Sequence, residues 1–112
     1  MTASFSNNQY DTIFGQDGAL LKVNADKADV VTLNFSGERL QNIQSGAYLI
    51  EGSVNHEIQV NFSDLKIIDS YGTASYSLIQ IDKTRQVTCT RCEISYSSDV
   101  NSFNVTTNQC RF

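Results

Sequence analysis

Apolar and polar residues alternate with a period of two along much of this chain, and this alternation limits what the chain can fold into. From Val31 to Phe35 and from Ile58 to Phe62, every second residue is apolar. Because a strand places successive side chains on opposite faces, each stretch predicts a strand with one buried face. From Thr73 to Ile81 the apolar residues change phase, which predicts a bulge or a strand buried on both faces.

Three short polar segments predict how the strands connect. The segment from Gly15 to Gly18 lies between two apolar runs and predicts a hairpin. The segment from Asp69 to Gly72 predicts a turn in which the glycine takes a positive φ angle. The segment from Ser97 to Ser102 predicts a second hairpin, in which Ile94 lies opposite Val105. These hairpins make the predicted sheets antiparallel.

One segment has the spacing of a helix. Leu40, Ile43 and Ala47 recur at intervals of three and four residues. Ser36 can cap the first turn of such a helix, and Gly46 suits its C-terminal end. We therefore predict one short helix near residues 37–45.

The expected fold class is mainly β, of the α+β type. We expect an antiparallel β-sandwich, or a barrel-like arrangement, with the short helix on an edge or end. The chain of 112 residues is predicted to form a single β-sandwich domain, residues 1–112. We find no internal repeat and no domain linker.

Charge and targeting signals narrow the classes of partner. Eight basic and twelve acidic residues give a formal net charge of −4. The basic residues are scattered, so specific binding of nucleic acid is disfavoured. The sequence begins without the basic and apolar regions of a signal peptide, and no apolar run is long enough to span a membrane. We expect the protein to be made in a cytoplasm and to have no membrane partner.

All three cysteines lie near the C-terminal end. In the predicted C-terminal hairpin, Cys89 lies opposite Cys110, and Cys92 points to the other face and stays free. A bridge between the first two would close a loop of roughly twenty residues, worth about 3 kcal/mol in an oxidising medium. In a reducing cytosol both would remain thiols. A zinc site would need these cysteines and His56, but the Thr-Arg pair inside the C-x-x-C offers no tight turn, so no metal is expected.

No set of residues predicts catalysis. His56 is the sole histidine and lies in a polar turn. Asp64, Asp69 and Asp82 lie at predicted strand ends, where carboxylates commonly bond to turn backbone groups. We therefore predict that the protein is not an enzyme and needs no cofactor.

The order of features over residues 15–81 resembles that of tail tube proteins of long-tailed bacteriophages. The matching stretches are GQDGALLKV, ADVVTLNFSGERLQNIQSG and IQVNFSDLKIIDSYGTASYSLIQI. The resemblance implies a structural virion protein whose copies assemble into stacked, hexameric rings, with other tail proteins as partners. DNA would pass through the tube without specific binding. An uncharged or acidic lumen would repel phosphates, which makes Glu57, Gln59 and Asn61 the candidate channel-facing residues.

A second resemblance leads to an alternative function. The stretch VTCTRCEIS followed by Cys110 is similar to the cysteine-bridged hairpin of cyanovirin-type domains, although the second repeat of that family is missing. This resemblance implies a small β-sandwich module that binds carbohydrate or another partner.

Overall fold

The computed structural model of the protein describes residues 1–24, 30–51, 57–73, 77–82, 86–94 and 103–105. Within these residues the chain forms ten β-strands and no helix, and hence none that is long and apolar enough to cross a membrane. The strands are β1 (Thr2–Ser6), β2 (Gln9–Asn24), β3 (Val30–Ser36), β4 (Arg39–Glu51), β5 (Glu57–Ser63), β6 (Lys66–Ile68), β7 (Ile79–Asp82), β8 (Gln86–Thr90), β9 (Glu93–Ile94) and β10 (Phe103–Val105).

The strands pair in parallel. Each pairs with a strand from the preceding or following turn of the winding chain, and we call each such turn a coil. Sheet A has the strand order β1-β3-β5-β8, and the remaining six strands form sheet B. In sheet A, Phe5 lies beside Phe35, Phe35 beside Phe62 and Phe62 beside Cys89, at sequence separations of 30, 27 and 27 residues. The chain therefore winds as a parallel β-solenoid in which each coil adds a strand to sheet A and one or more to sheet B. The predicted antiparallel sandwich is wrong.

The parallel register exposes a sequence repeat that we did not find from the sequence. Four stretches occupy equivalent positions in successive coils: ASFSNNQ, LNFSGER, VNFSDLK and VTCTRCE, which begin at Ala3, Leu33, Val60 and Val87. Each stretch contains the end of a sheet A strand, two corner residues and the start of a sheet B strand. Because each coil performs the same local steps, similar residues recur at a fixed spacing.

The first corner of each coil turns on one residue with a left-handed backbone. Asn7, Gly37, Asp64 and Arg91 have φ angles of 57°, 67°, 54° and 53°. A single positive φ redirects a strand from sheet A into sheet B without a loop. Only Gly37 adopts this conformation without a steric cost, although Asn and Asp tolerate it better than other residues.

A second corner explains why the predicted helix is wrong. Residues 39–51 form strand β4, and Asn42 within it has a φ angle of 53°. Leu40 precedes this corner, Ile43 follows it, and both are completely buried. The turn resets the alternation, so two inward-facing residues stand three positions apart rather than two. A bent strand thereby imitates the spacing of a helix.

The two glycine-marked turns also differ from their predictions. Gly15 to Gly18 lie within β2, where the register against β4 shifts between Phe14 and Ala19, so the segment is a bulge in a parallel ladder and not a hairpin. At the second turn the positive φ angle, 47°, belongs to Asp69 and not to Gly72.

The predicted C-terminal hairpin is wrong as well. Strand β9, which contains Ile94, pairs with β6, and strand β10, which contains Val105, pairs with β7. Both pairings are parallel. Alternation indicates which face of a strand is buried, but it does not identify the neighbouring strand. The predicted hairpin therefore rested only on the two strands being adjacent in the sequence.

The core lies between the sheets and consists of columns of inward-facing residues. The predicted inward faces of β3 and β5 are confirmed, because the alternating apolar residues from Val31 to Phe35 and from Ile58 to Phe62 are at most 1% exposed. The ring centroid of Phe35 lies 5.0 Å from the ring centroid of Phe5 and 5.0 Å from that of Phe62. It lies 4.8 Å from the ring centroid of Tyr48. The aromatic column of Phe5, Phe35 and Phe62 therefore links three successive coils along the solenoid axis.

Candidate ligand-binding face

Most of the outer surface of sheet A consists of uncharged polar residues. Val30, which is 54% exposed, continues the outward alternation of β3 beyond Thr32, and its paired position in β5 is Glu57. Three columns run along the solenoid axis, and each contains one outward residue from every strand of the sheet. We call this surface the polar face; all of its members are at least partly accessible. Its columns are Thr2, Thr32, Gln59 and Gln86; Ser4, Asn34, Asn61 and Thr88; and Ser6, Ser36, Ser63 and Thr90.

The middle column is held together by hydrogen bonds between coils. The Asn61 side-chain amide donates to Asn34 Oδ1 at 2.9 Å, and Thr88 Oγ1 donates to Asn61 Oδ1 at 2.7 Å. Gln59 Nε2 also donates to Asn61 Oδ1, at 3.2 Å. These bonds fix the Asn61 side chain and orient its neighbours. The centre of the polar face is thus ordered before any ligand arrives.

The third column consists entirely of residues with hydroxyl groups. The side chains of Ser6, Ser36, Ser63 and Thr90 make no hydrogen bond with another described residue. Each hydroxyl can both donate and accept. We call these four residues the hydroxyl column. It is the one column of the face in which every coil presents a hydroxyl group to a ligand.

A charged corner borders the hydroxyl column. Arg91 Nε donates to Asp64 Oδ1 at 2.8 Å, and its terminal Nη2 donates to Oδ2 at 3.1 Å. This hydrogen bonding lowers the pKa of the Asp64 carboxyl. The pair lines an open depression of about 570 Å³ together with Leu65, Lys66, Cys92 and Glu93. Because basic and acidic side chains alternate there, the depression favours neither an anion nor a cation.

A carboxylate is buried beneath the same corner. Glu38 is 1% exposed, and its Oε2 accepts a 2.7 Å hydrogen bond from the backbone N–H of Asn8. Its Oε1 accepts from Asn8 Nδ2 at 3.2 Å and from the Tyr48 hydroxyl at 3.5 Å. Burial, with the nearby carboxylate as a second cause, raises the pKa of Tyr48 far above its usual value. Since Glu38 is inaccessible, it stabilises the corner and does not contact a ligand.

The structure assigns different states to the two described cysteines. Cys89 takes part in a disulfide bond. Cys92 carries a free, half-buried thiol, and burial raises its pKa. Cys110 and His56 lie outside the described residues, and the described part of the chain contains no cluster of three potential metal ligands.

The residues predicted to face a channel lie on strand β5, and two of them belong to the polar face. Gln59 is exposed and Asn61 is partly exposed, whereas only the backbone of Glu57 is described. The hydroxyl column beside them was not predicted from the sequence. A signal for it is present in the first three repeated stretches, where a serine follows the phenylalanine. A residue that recurs at the coil spacing forms a column on one surface.

Comparison with known proteins assigns no relative to this chain: no family model matches the sequence, and no curated protein or solved structure matches it either.

Proposed function

We propose that this protein is a non-catalytic module that binds neutral carbohydrate through the polar face. The observation that carries the proposal is the composition of that face: twelve outward positions in three columns hold only Ser, Thr, Asn and Gln. Sugar hydroxyls donate and accept hydrogen bonds, and so do the side-chain hydroxyls and amides of these residue types.

Other ligand classes fit the face less well. A phosphate or a nucleic acid needs Arg or Lys at the contact, and none of the twelve positions is basic. A protein partner usually buries aromatic and aliphatic anchors, which the face also lacks. Binding a neutral, hydroxyl-rich ligand requires no desolvation of a charged side chain on the face. Neutral carbohydrate is thus the ligand class with matching chemistry.

Two of the carboxylates near the face, those of Asp64 and Glu38, already have partners within the protein. Asp64 is held in an ion pair by Arg91, and Glu38 is buried within the corner. Glycoside hydrolysis uses two accessible carboxyl groups on either side of the scissile bond. Neither of these two carboxylates is available in that way.

The tail tube resemblance implied a β-sandwich with a flanking helix, whereas the described residues form a parallel solenoid without a helix. No finding tests the tail tube function or ring assembly. The function proposed here belongs to the alternative class, a carbohydrate-binding module, with a sheet face and not a bridged hairpin as the sugar-binding surface.

Titration calorimetry with soluble neutral oligosaccharides tests the proposal. The double variant Ser36→Ala with Ser63→Ala removes two central hydroxyls, and Ser77→Ala makes the same change outside the polar face. Each lost hydrogen bond contributes about 0.5 to 1.5 kcal/mol, so we expect the double variant, which lacks two of them, to bind about 5-fold to 150-fold more weakly. The control should bind like the wild type.

Both variants change accessible serines, so the fold should persist. Equal urea midpoints for the wild type and the variants would confirm this. The proposal fails if no neutral oligosaccharide binds at millimolar concentration, or if the double variant binds as tightly as the control.

A further inference from the structure

We infer that the carbohydrate is an extended, β-1,4-linked neutral chain that lies along the solenoid axis with one sugar unit on each coil. This inference rests on the proposed function and specifies its ligand.

Sheet A is regular along the solenoid axis. Its strands pair without any register shift, whereas the long pairing in sheet B shifts at the β2 bulge. Neighbouring strands in a sheet lie about 4.8 Å apart, so the hydroxyl column presents one group at each step of this length. A ligand that offers a hydroxyl group at every step must be built from units of nearly this length.

The shape of an extended β-1,4-linked chain suits the hydroxyl column. Each of its sugar units advances by about the separation of two neighbouring strands. Successive units are rotated by about half a turn, so alternate units present opposite edges to the column, and both edges carry hydroxyl groups. An α-1,4-linked chain curves and leaves a straight column after a few units. Because the strands of sheet A pair without a register shift, the column follows the solenoid axis and matches the extended chain.

The charge of the protein favours an uncharged ligand. The twelve positions of the polar face include no basic side chain, and the protein has a net charge of −4. A carboxylated polysaccharide would be repelled without gaining an ion pair. An uncharged chain carries no such penalty.

The number of coils sets the length of the site. Within the described residues sheet A has four strands, so four sugar units can contact the hydroxyl column at once. No aromatic residue lies on the polar face, and each unit is held by hydrogen bonds alone. Affinity should then rise by about two- to tenfold for each added unit and reach a plateau at four.

Calorimetric titration with β-1,4-linked gluco-oligosaccharides of two to six units, and with α-1,4-linked gluco-oligosaccharides of the same lengths, tests the inference. We expect the length dependence and the plateau only for the β-linked series, with the α-linked tetramer bound at least tenfold more weakly. Carboxymethylation of the β-linked chain should weaken binding.

Changing the end of the column sharpens the test. Thr90→Val removes the hydroxyl of the fourth coil with little change in shape, so the fourth sugar unit should add little affinity while the trimer binds as before. The Ser77→Ala control should keep the plateau at four. Equal binding of both series, or equal weakening at every length by Thr90→Val, overturns the axial arrangement but leaves neutral carbohydrate binding intact. Failure of every neutral oligosaccharide to bind overturns both proposals.

Discussion

Asn34 and Phe35 are neighbours in the chain, yet they belong to columns with different physical roles. Phe35 lies in the aromatic column inside the solenoid, 1% exposed, with aromatic rings on three sides. Asn34 lies in the middle column of the polar face outside, where Asn61 donates to it. The inner column gains free energy from burial, whereas the outer column gains direction from hydrogen bonds. The same register therefore serves folding on one face and recognition on the other.

The largest expected effect comes from the inner column. Phe35→Ala removes a buried ring that packs between two others, so we expect the free energy of unfolding to fall by about 3 to 5 kcal/mol. Urea denaturation would measure this loss. Thr32→Ala, on the outer surface of the same strand, is the matched control and should change stability little. Equal losses for the two variants would remove the proposed difference between the faces.

The first corner should give the next largest effect. Gly37 has a φ angle of 67°, and a Cβ atom there would clash with the Asn7 side-chain oxygen. Gly37→Ala should therefore lower the free energy of unfolding by at least about 1 to 2 kcal/mol from backbone strain alone. Asn7→Gly removes the side chain that causes the clash and suits the positive φ angle of that position, so Gly37→Ala should cost less in an Asn7→Gly background than in the wild type. An equal cost in both backgrounds would indicate that backbone strain alone determines it.

The middle column of the polar face should contribute less to the free energy of unfolding than the corner. Asn61→Ala breaks three side-chain hydrogen bonds on a partly exposed surface, so we expect a loss of about 1 kcal/mol. The ligand-binding affinity should fall more clearly than the stability, because Asn34 and Thr88 lose the partner that orients them. A loss as large as that of Phe35→Ala would contradict the assignment of folding energy to the inner column.

The smallest effect should come from the exposed ion pair of Asp64 and Arg91. The pair lowers the pKa of the carboxyl in the folded state, so its stabilisation is present above the usual carboxyl pKa of 3.8 and is lost as the pH falls through the lowered value. Wild type and Arg91→Ala should therefore differ slightly at neutral pH and converge in acid. Urea titrations at pH 7 and pH 2 would show this, and high salt should reduce the difference at pH 7.

Part of the fold could be predicted from local sequence. The strands around Val31 to Phe35 and Ile58 to Phe62 were predicted correctly, together with their buried faces. Alternation reports the face of a strand directly, which explains this success. The same alternation failed between Leu40 and Ile43, because a corner with one left-handed residue leaves no glycine or proline to mark it.

Part of the candidate site was also predictable. Gln59 and Asn61 were identified as an exposed polar strand face, but the reason given was a channel for DNA. The hydroxyl column was missed because its members are about 27 to 30 residues apart and form one surface only when the coils stack in register.

The sequence alone determined where the chain is extended and which side of each strand is apolar, because side-chain direction follows from the two-residue period of a single strand. The tertiary structure decided which strands are neighbours, that they run parallel, and that Ser6, Ser36, Ser63 and Thr90 form one column. Pairing is a long-range choice between strands with similar local patterns, and it depends on how corners and columns fit over whole coils.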